Sequence, residues 1–187
     1  MMLPFYTVGH STRTIEEFVE LLQVAEVSLV IDIRTVPKSR TNPQYNKVTL
    51  PAHLALFKID YVQIAELGGL RRRSKNVEPD INGFWKNKSF HNYADYALTE
   101  SFRNGLARVI ALGRQQRCVL MCSEAVWWRC HRRIVADHLI ACGESVFHLM
   151  VKNKIEPARL TEGARVQEDG VVIYQAEKLE EKETAGM

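Results

Sequence analysis

No apolar run in this chain approaches the roughly 20 residues that a membrane-crossing helix needs; SLVIDI and CVLMC are among the longest. The opening MMLPFYTVGH has no charged stretch followed by a long apolar run and a small-residue cleavage motif, so we expect a cytoplasmic protein. Cysteine is sparse, four in 187 residues, and no Cys-x-x-Cys pair occurs. That pattern suits free thiols in a reducing compartment better than a disulfide framework, and gives thioredoxin-like exchange little support. Charge of one sign is scarce too: 25 basic against 22 acidic residues leave a net +3, with no continuous basic stripe to demand a nucleic-acid duplex. No internal repeat is found. What remains, 46% hydrophobic and 25% charged residues, is the composition of one globular domain with an ample core.

Hydrophobic patterning alternates between strand and helix. FYTVG reads as a strand, and Thr14 with Glu17 forms a capping box that opens the helix IEEFVELLQVA. SLVIDIR is a β-branched run of buried-strand length, ended by the turn chemistry of VPKSRTNP. A helix over VTLPAHLALFK with proline in its opening turn, a strand at IDYVQIA and a turn at LGGL follow. After an irregular stretch from Arg71 to Asn92, a helical segment runs from Tyr93 to Arg114 with a break near Thr99, then strand RCVLMC, helix RRIVADHLIA and strand SVFHLM. Such alternation predicts a three-layer α/β/α fold with a mostly parallel sheet, since parallel strands need helical crossovers. ARVQEDGVVIY reads as a small C-terminal hairpin turning at Asp169 and Gly170. We expect one domain over residues 1–176 and a frayed tail over 177–187. A long irregular connection in a compact domain is commonly functional, which draws attention to residues 71–92.

Open parallel sheets bind ligands beyond the carboxyl ends of their strands, and reactive residues fall there repeatedly. Tyr6, Val8 and His10 share one face of their strand, as do Val30, Asp32 and Arg34, and Cys118, Leu120 and Cys122. The densest cluster is CSEAVWWRCHRR, which places Cys122, Glu124, Cys130, His131 and Arg132 around one strand-to-helix junction. Cys130, four residues before Ile134, is expected in the opening turn of the next helix, where the helix dipole favours a thiolate or a bound anion. Cys118 and Cys142 read as packing residues on apolar faces, and His138 and His148 as core histidines with satisfied ring nitrogens.

GHS at residues 9–11, DIRTVPKSR at 32–40, LGG at 67–69 and CSE with CHR at 122–124 and 130–132 resemble the domain-of-unknown-function family 488. The resemblance covers about residues 5–150, with a weaker echo in LTEGARV and in the IY of the hairpin. It implies a single α/β domain of bacterial and archaeal cytoplasm, and no established activity. Its signature positions here are Gly9, His10, Ser11, Asp32, Arg34, Pro37, Ser39, Leu67, Gly68, Gly69, Cys122, Glu124, Cys130, His131 and Arg132; Trp127, Trp128, Arg129 and Arg133 stand outside it.

The favoured reading is an enzyme acting on a phosphate-bearing or nucleotide-like substrate. Arg34, Arg40 and Arg132 would hold the anion beside Ser11, Asp32, Ser39, Gly68 and Gly69. Cys122 or Cys130 would be the nucleophile, and His10, His131 or Glu124 would move protons. Asp32 and Arg34 also read as a structural ion pair that orients the site. One alternative is a nucleic-acid-binding or repair-associated protein that uses RRRSK at 71–75, RCHRR at 129–133 and stacking by Phe84, Trp85, Trp127 and Trp128. Another is a metal or thiol-redox module. Cys122, Cys130 and His131 supply three ligands, with His10 or Glu124 as a fourth, but the C-x7-C-H spacing matches no common zinc pattern, so no metal is predicted. The sequence specifies no cofactor.

Overall fold

The computed structural model describes residues 2–151 and 154–176; the tail at 177–187 lies outside the described residues. A six-stranded sheet runs in the order β3-β2-β4-β1-β5-β6. Its strands are β1 (Phe5–Gly9), β2 (Leu29–Asp32), β3 (Asp60–Gln63), β4 (Cys118–Cys122), β5 (Val146–Leu149) and β6 (Ile155–Pro157). All neighbouring pairs are parallel except β5 with β6. The sixth strand was not expected from sequence. It is three residues long, contains Pro157 and sits at an edge, where a proline costs no ladder hydrogen bond.

Helices α1 (Ile15–Val24) and α2 (Leu50–Ala55) cover one face; their core is Phe18, Leu22, Leu50 and Leu54 with Tyr6, Val8 and Val30 from the sheet. Phe102, Val109, Ile134 and Leu139, from α4 (Glu100–Gln115) and α5 (Arg132–Ala141), pack with Phe5, Ile31 and Leu120 on the other face. The three-layer α/β/α expectation therefore holds. Thr14 caps α1 in the expected capping box, accepting from the Glu17 N–H while Glu17 accepts from the Thr14 N–H. The break near Thr99 is present as the N-cap of α4, but the preceding helix α3 (Lys88–Tyr96) begins earlier than the apolar pattern indicated, because Asn87 caps it by accepting from the Ser89 and Phe90 N–H groups. The C-terminal hairpin pairs β7 (Ala164–Val166) with β8 (Val172–Tyr174), and Val172 and Tyr174 join the α4/α5 core.

Chain direction positions the site. The chain leaves β1 towards α1 on one face and leaves β4 towards α5 on the other, so a crevice opens between these adjacent parallel strands at their carboxyl ends. Beyond the paired strands the His10 N–H donates to Cys122 O at 2.9 Å and the Ser11 N–H to Ser123 O at 3.0 Å, which zips the two exits together. Ser11 has φ of 51°, in the left-handed region that non-glycine residues seldom adopt.

Candidate functional site

Three side chains form the floor of the crevice. Cys122 ends β4, Cys130 closes the short 3₁₀ turn Trp127–Arg129, and His131 is the N-cap of α5. Cys130 thus precedes the helix in extended backbone, rather than lying in its opening turn as the spacing indicated, because its N–H closes the 3₁₀ turn on Trp127 O. His131 Nδ1 stands 3.9 Å from Cys122 Sγ and 3.7 Å from Cys130 Sγ. His131 Nε2 faces Ile33 O at 3.1 Å. A carbonyl only accepts, so Nε2 carries the proton and Nδ1 turns towards both sulfurs. The ligand atoms of Cys122, Cys130 and His131 all lie within 4.8 Å of one another, which makes this trio the set among the described residues that could hold a metal. Cys122 is held well below the ordinary thiol range chiefly by the hydrogen bond from Cys130, against its own burial, with the Glu124 N–H adding to the effect. Burial pushes Cys130 well above that range, and the neighbouring Cys122 adds to the effect.

Glycines set the spacing around this floor. A Cβ on Gly69 would lie 2.4 Å from His131 Nδ1, and one on Gly68 would lie 2.4 Å from Thr35 Oγ1. A Cβ on Gly9 would lie 1.8 Å from Glu124 O and 2.8 Å from Arg132 Nη1. The GHS and LGG motifs are thus places where backbone must approach closely.

A second cluster lies beside the first. Asp32, fully buried, accepts from the backbone N–H and Nε of Arg34 at Oδ1 (3.0 and 2.9 Å) and from Arg34 Nη2 and the Tyr61 hydroxyl at Oδ2 (2.6 and 2.7 Å). Arg34 Nη2 also donates to Tyr45 O at 2.7 Å, and Nη1 to His10 Nε2 at 3.1 Å. A guanidinium cannot accept, so His10 is protonated at Nδ1, which donates to Ser11 O at 2.8 Å. Burial lowers His10 to about 4, and its ring stacks on Tyr45 with centroids 4.0 Å apart. The ion pair read from sequence is present. It leaves both His10 nitrogens engaged.

Arg132 is also committed internally. Only 1% exposed, it donates Nη1 to Glu124 O at 2.6 Å and Nη2 to Ala125 O at 2.9 Å, while its Nε has no partner. It pins the loop after β4. Arg40 is exposed and lines neither cavity described below.

Two adjoining cavities open above these groups. The first, about 330 Å³, is walled by Val36, Leu70 and Phe90 over Cys122, Cys130 and His131, with Gly69, Ser89 and Arg129 at its margin. The second, about 450 Å³, is lined by His10, Ser11, Thr12, Ser39, Thr41, Asn42 and Lys38. Arg34, Val36, Ser123 and Glu124 line both. Sequence reasoning missed Phe90, Ser89, Lys38 and Tyr61. The only signal for the first two was the irregular stretch at 71–92, whose end reaches the cavity through α3.

Other expectations change. Cys118 is fully buried, but Cys142 is exposed, because α5 ends at Ala141 and Cys142 is its C-cap. His148 is satisfied, with Nδ1 2.7 Å from Thr7 Oγ1, whereas His138 Nε2 is buried without a partner. Three of the four aromatic residues read as stacking surfaces are packed internally. Trp85 is buried and stacks on Phe90, Phe84 abuts Trp85 edge-on, and Trp127 stacks on His148 and donates Nε1 to Glu156. Only Trp128, 46% exposed, remains open among them. Arg71 lies over the Tyr96 ring and donates to the carbonyls of Ala65, Glu66 and Gly68. No helix among the described residues is long and apolar enough to cross a membrane.

Comparison with known proteins agrees with the motif resemblance. A family model, Domain of unknown function DUF488, matches residues 14–139, inside the 5–150 span of the resemblance and beginning after the GHS motif. No curated protein and no solved structure matches. With residues 14–139 of 187 matched, the chain belongs to the DUF488 family.

Proposed function

We propose that this protein is an enzyme acting on a nucleotide-like, phosphate-bearing small molecule held across the two cavities, with the Cys122, Cys130 and His131 cluster as its reaction centre. The supporting observation is the pairing of unlike lobes. One lobe is walled by Phe90, Leu70 and Val36 and suits a flat ring, while its neighbour is rich in hydroxyl and amide groups and carries Lys38. Glu124 stands where they meet, placed to accept or donate a proton near the cluster. Arg129 and Lys38, both exposed, are the cations free to meet phosphate, in place of the committed Arg34 and Arg132.

A calorimetric panel of nucleoside mono- and diphosphates, with matching nucleosides and inorganic phosphate, tests the reading. Nucleotides are expected to bind more tightly than either fragment. Lys38→Ala should remove about tenfold of the phosphate-dependent affinity, the scale of one exposed charge-assisted contact. Phe90→Ala should weaken nucleotide and nucleoside alike. Binding indifferent to both substitutions, or no binding at millimolar ligand, would refute it.

A further inference from the structure

We infer that Cys122, Cys130 and His131 form a binding site for a zinc-class divalent cation, with its fourth coordination position open to the apolar cavity. The inference deepens the proposed function by naming what the reaction centre holds, but it rests on geometry alone. Nδ1 of a neutral imidazole has one lone pair and can accept from one S–H donor, yet both sulfurs stand at nearly equal distances from it, 3.9 and 3.7 Å. A cation facing three donors accounts for that spacing. With Zn–S of about 2.3 Å and Zn–N of about 2.0–2.1 Å, a tetrahedral centre has S···N edges of about 3.6 Å and an S···S edge of about 3.8 Å. The observed pairs match the first, and the 4.8 Å limit on the whole trio admits the second.

The surroundings suit the assignment. His131 directs Nε2–H to Ile33 O, the outer hydrogen bond that orients an imidazole on a metal. Gly69 leaves the space that Nδ1 occupies, and the Tyr93 ring packs edge-on against the imidazole with centroids 4.9 Å apart. Two thiolates with one divalent cation and a neutral imidazole carry no net charge, which a buried site tolerates better than a lone thiolate. His10 cannot be the fourth ligand because both its nitrogens are engaged, and Glu124 lies outside the converging set. Three protein ligands and one open position is the arrangement of a catalytic rather than a structural zinc site.

Cobalt(II) is the direct probe. Titrated into reduced, chelator-stripped full-length protein, it should give thiolate-to-cobalt charge-transfer absorption and the visible bands of a tetrahedral centre at one equivalent per chain. Zinc chloride should bleach them. Cys122→Ser, Cys130→Ser and His131→Ala should each weaken cobalt binding by more than about a hundredfold, a larger loss than removal of an outer partner gives; Cys142→Ser should leave it unchanged. Wild-type protein supplies a readout independent of folding variants: zinc should protect Cys122 and Cys130 from alkylation while the exposed Cys142 still reacts. Absence of charge-transfer bands, or equal alkylation of Cys122 and Cys130 with and without zinc, would overturn the site. Intact cobalt bands in a protein that binds no nucleotide would overturn the nucleotide reading and leave the metal centre standing.

Discussion

Asp32 and Arg34 show how much one buried pair organises. Asp32 receives four hydrogen bonds, three from Arg34 and one from Tyr61, and Arg34 in turn fixes the tautomer of His10. Removing the charge of Asp32 leaves a buried guanidinium uncompensated, so Asp32→Asn should destabilise the fold by about 3–5 kcal/mol, read as a lower urea midpoint at unchanged slope. A loss below about 1 kcal/mol would show that the pair is dispensable. This interaction was legible from sequence because two residues of opposite charge stand two apart on one strand face. The fate of Arg132 was not. Its partners are the carbonyls of Glu124 and Ala125, and carbonyls are common to every residue, so no side-chain pattern distinguishes an arginine that holds a loop from one that holds a ligand. Phe90 was hidden for a related reason: its wall of the cavity depends on where α3 docks.

At the scale of elements, the β4 exit, its loop and the start of α5 act as a unit tied to the β1 exit. Gly9 is the contact point. Alanine there would drive its Cβ into Glu124 O and against Arg132 Nη1, so Gly9→Ala should cost about 1–3 kcal/mol or more and loosen the loop that carries Glu124. Denaturant unfolding and hydrogen exchange at residues 123–126 check this; native-like protection in the variant would contradict it. Strands and helices whose core sides are written in β-branched runs or helical periodicity were legible, as was the Thr14 capping box. Those decided by capping or edge pairing were not: α3 begins at an Asn87 cap, and β6 is a three-residue edge.

For the molecule as a whole, two buried histidines, His148 on β5 and His138 in α5, set an acid limit together with His10. Burial lowers His138 and His148 from 6.5 to about 4. Above pH 6.5 both are neutral whether the chain is folded or unfolded, and they contribute no pH dependence. As pH falls from about 6.5 towards 4 the unfolded chain takes up protons that the native state refuses, so stability drops by up to about 1.4 kcal/mol per pH unit for each histidine. Below about 4 the native state protonates as well and this contribution levels off. The urea midpoint should therefore fall steeply through pH 6 to 4; a midpoint at pH 5 equal to that at pH 7 would contradict the buried, neutral assignment.

The same molecular view explains why a cleft stands at the β1 and β4 exits: the segments that follow these two strands depart to opposite faces there, and the reactive motifs sit on those departures. The α/β alternation and the gathering of GHS, DIR, CSE and CHR at strand ends were legible in the sequence. The division into an apolar and a polar lobe was not, because Val36, Leu70 and Phe90 come from three separate loops or helix ends. The most direct test is an amide chemical-shift titration of the wild-type protein with the tightest-binding nucleotide of the panel. Perturbations are expected to concentrate at residues 34–39, 69–70, 89–90 and 122–131. Shifts centred instead on the basic stretch 71–75, or none at saturating ligand, would contradict it.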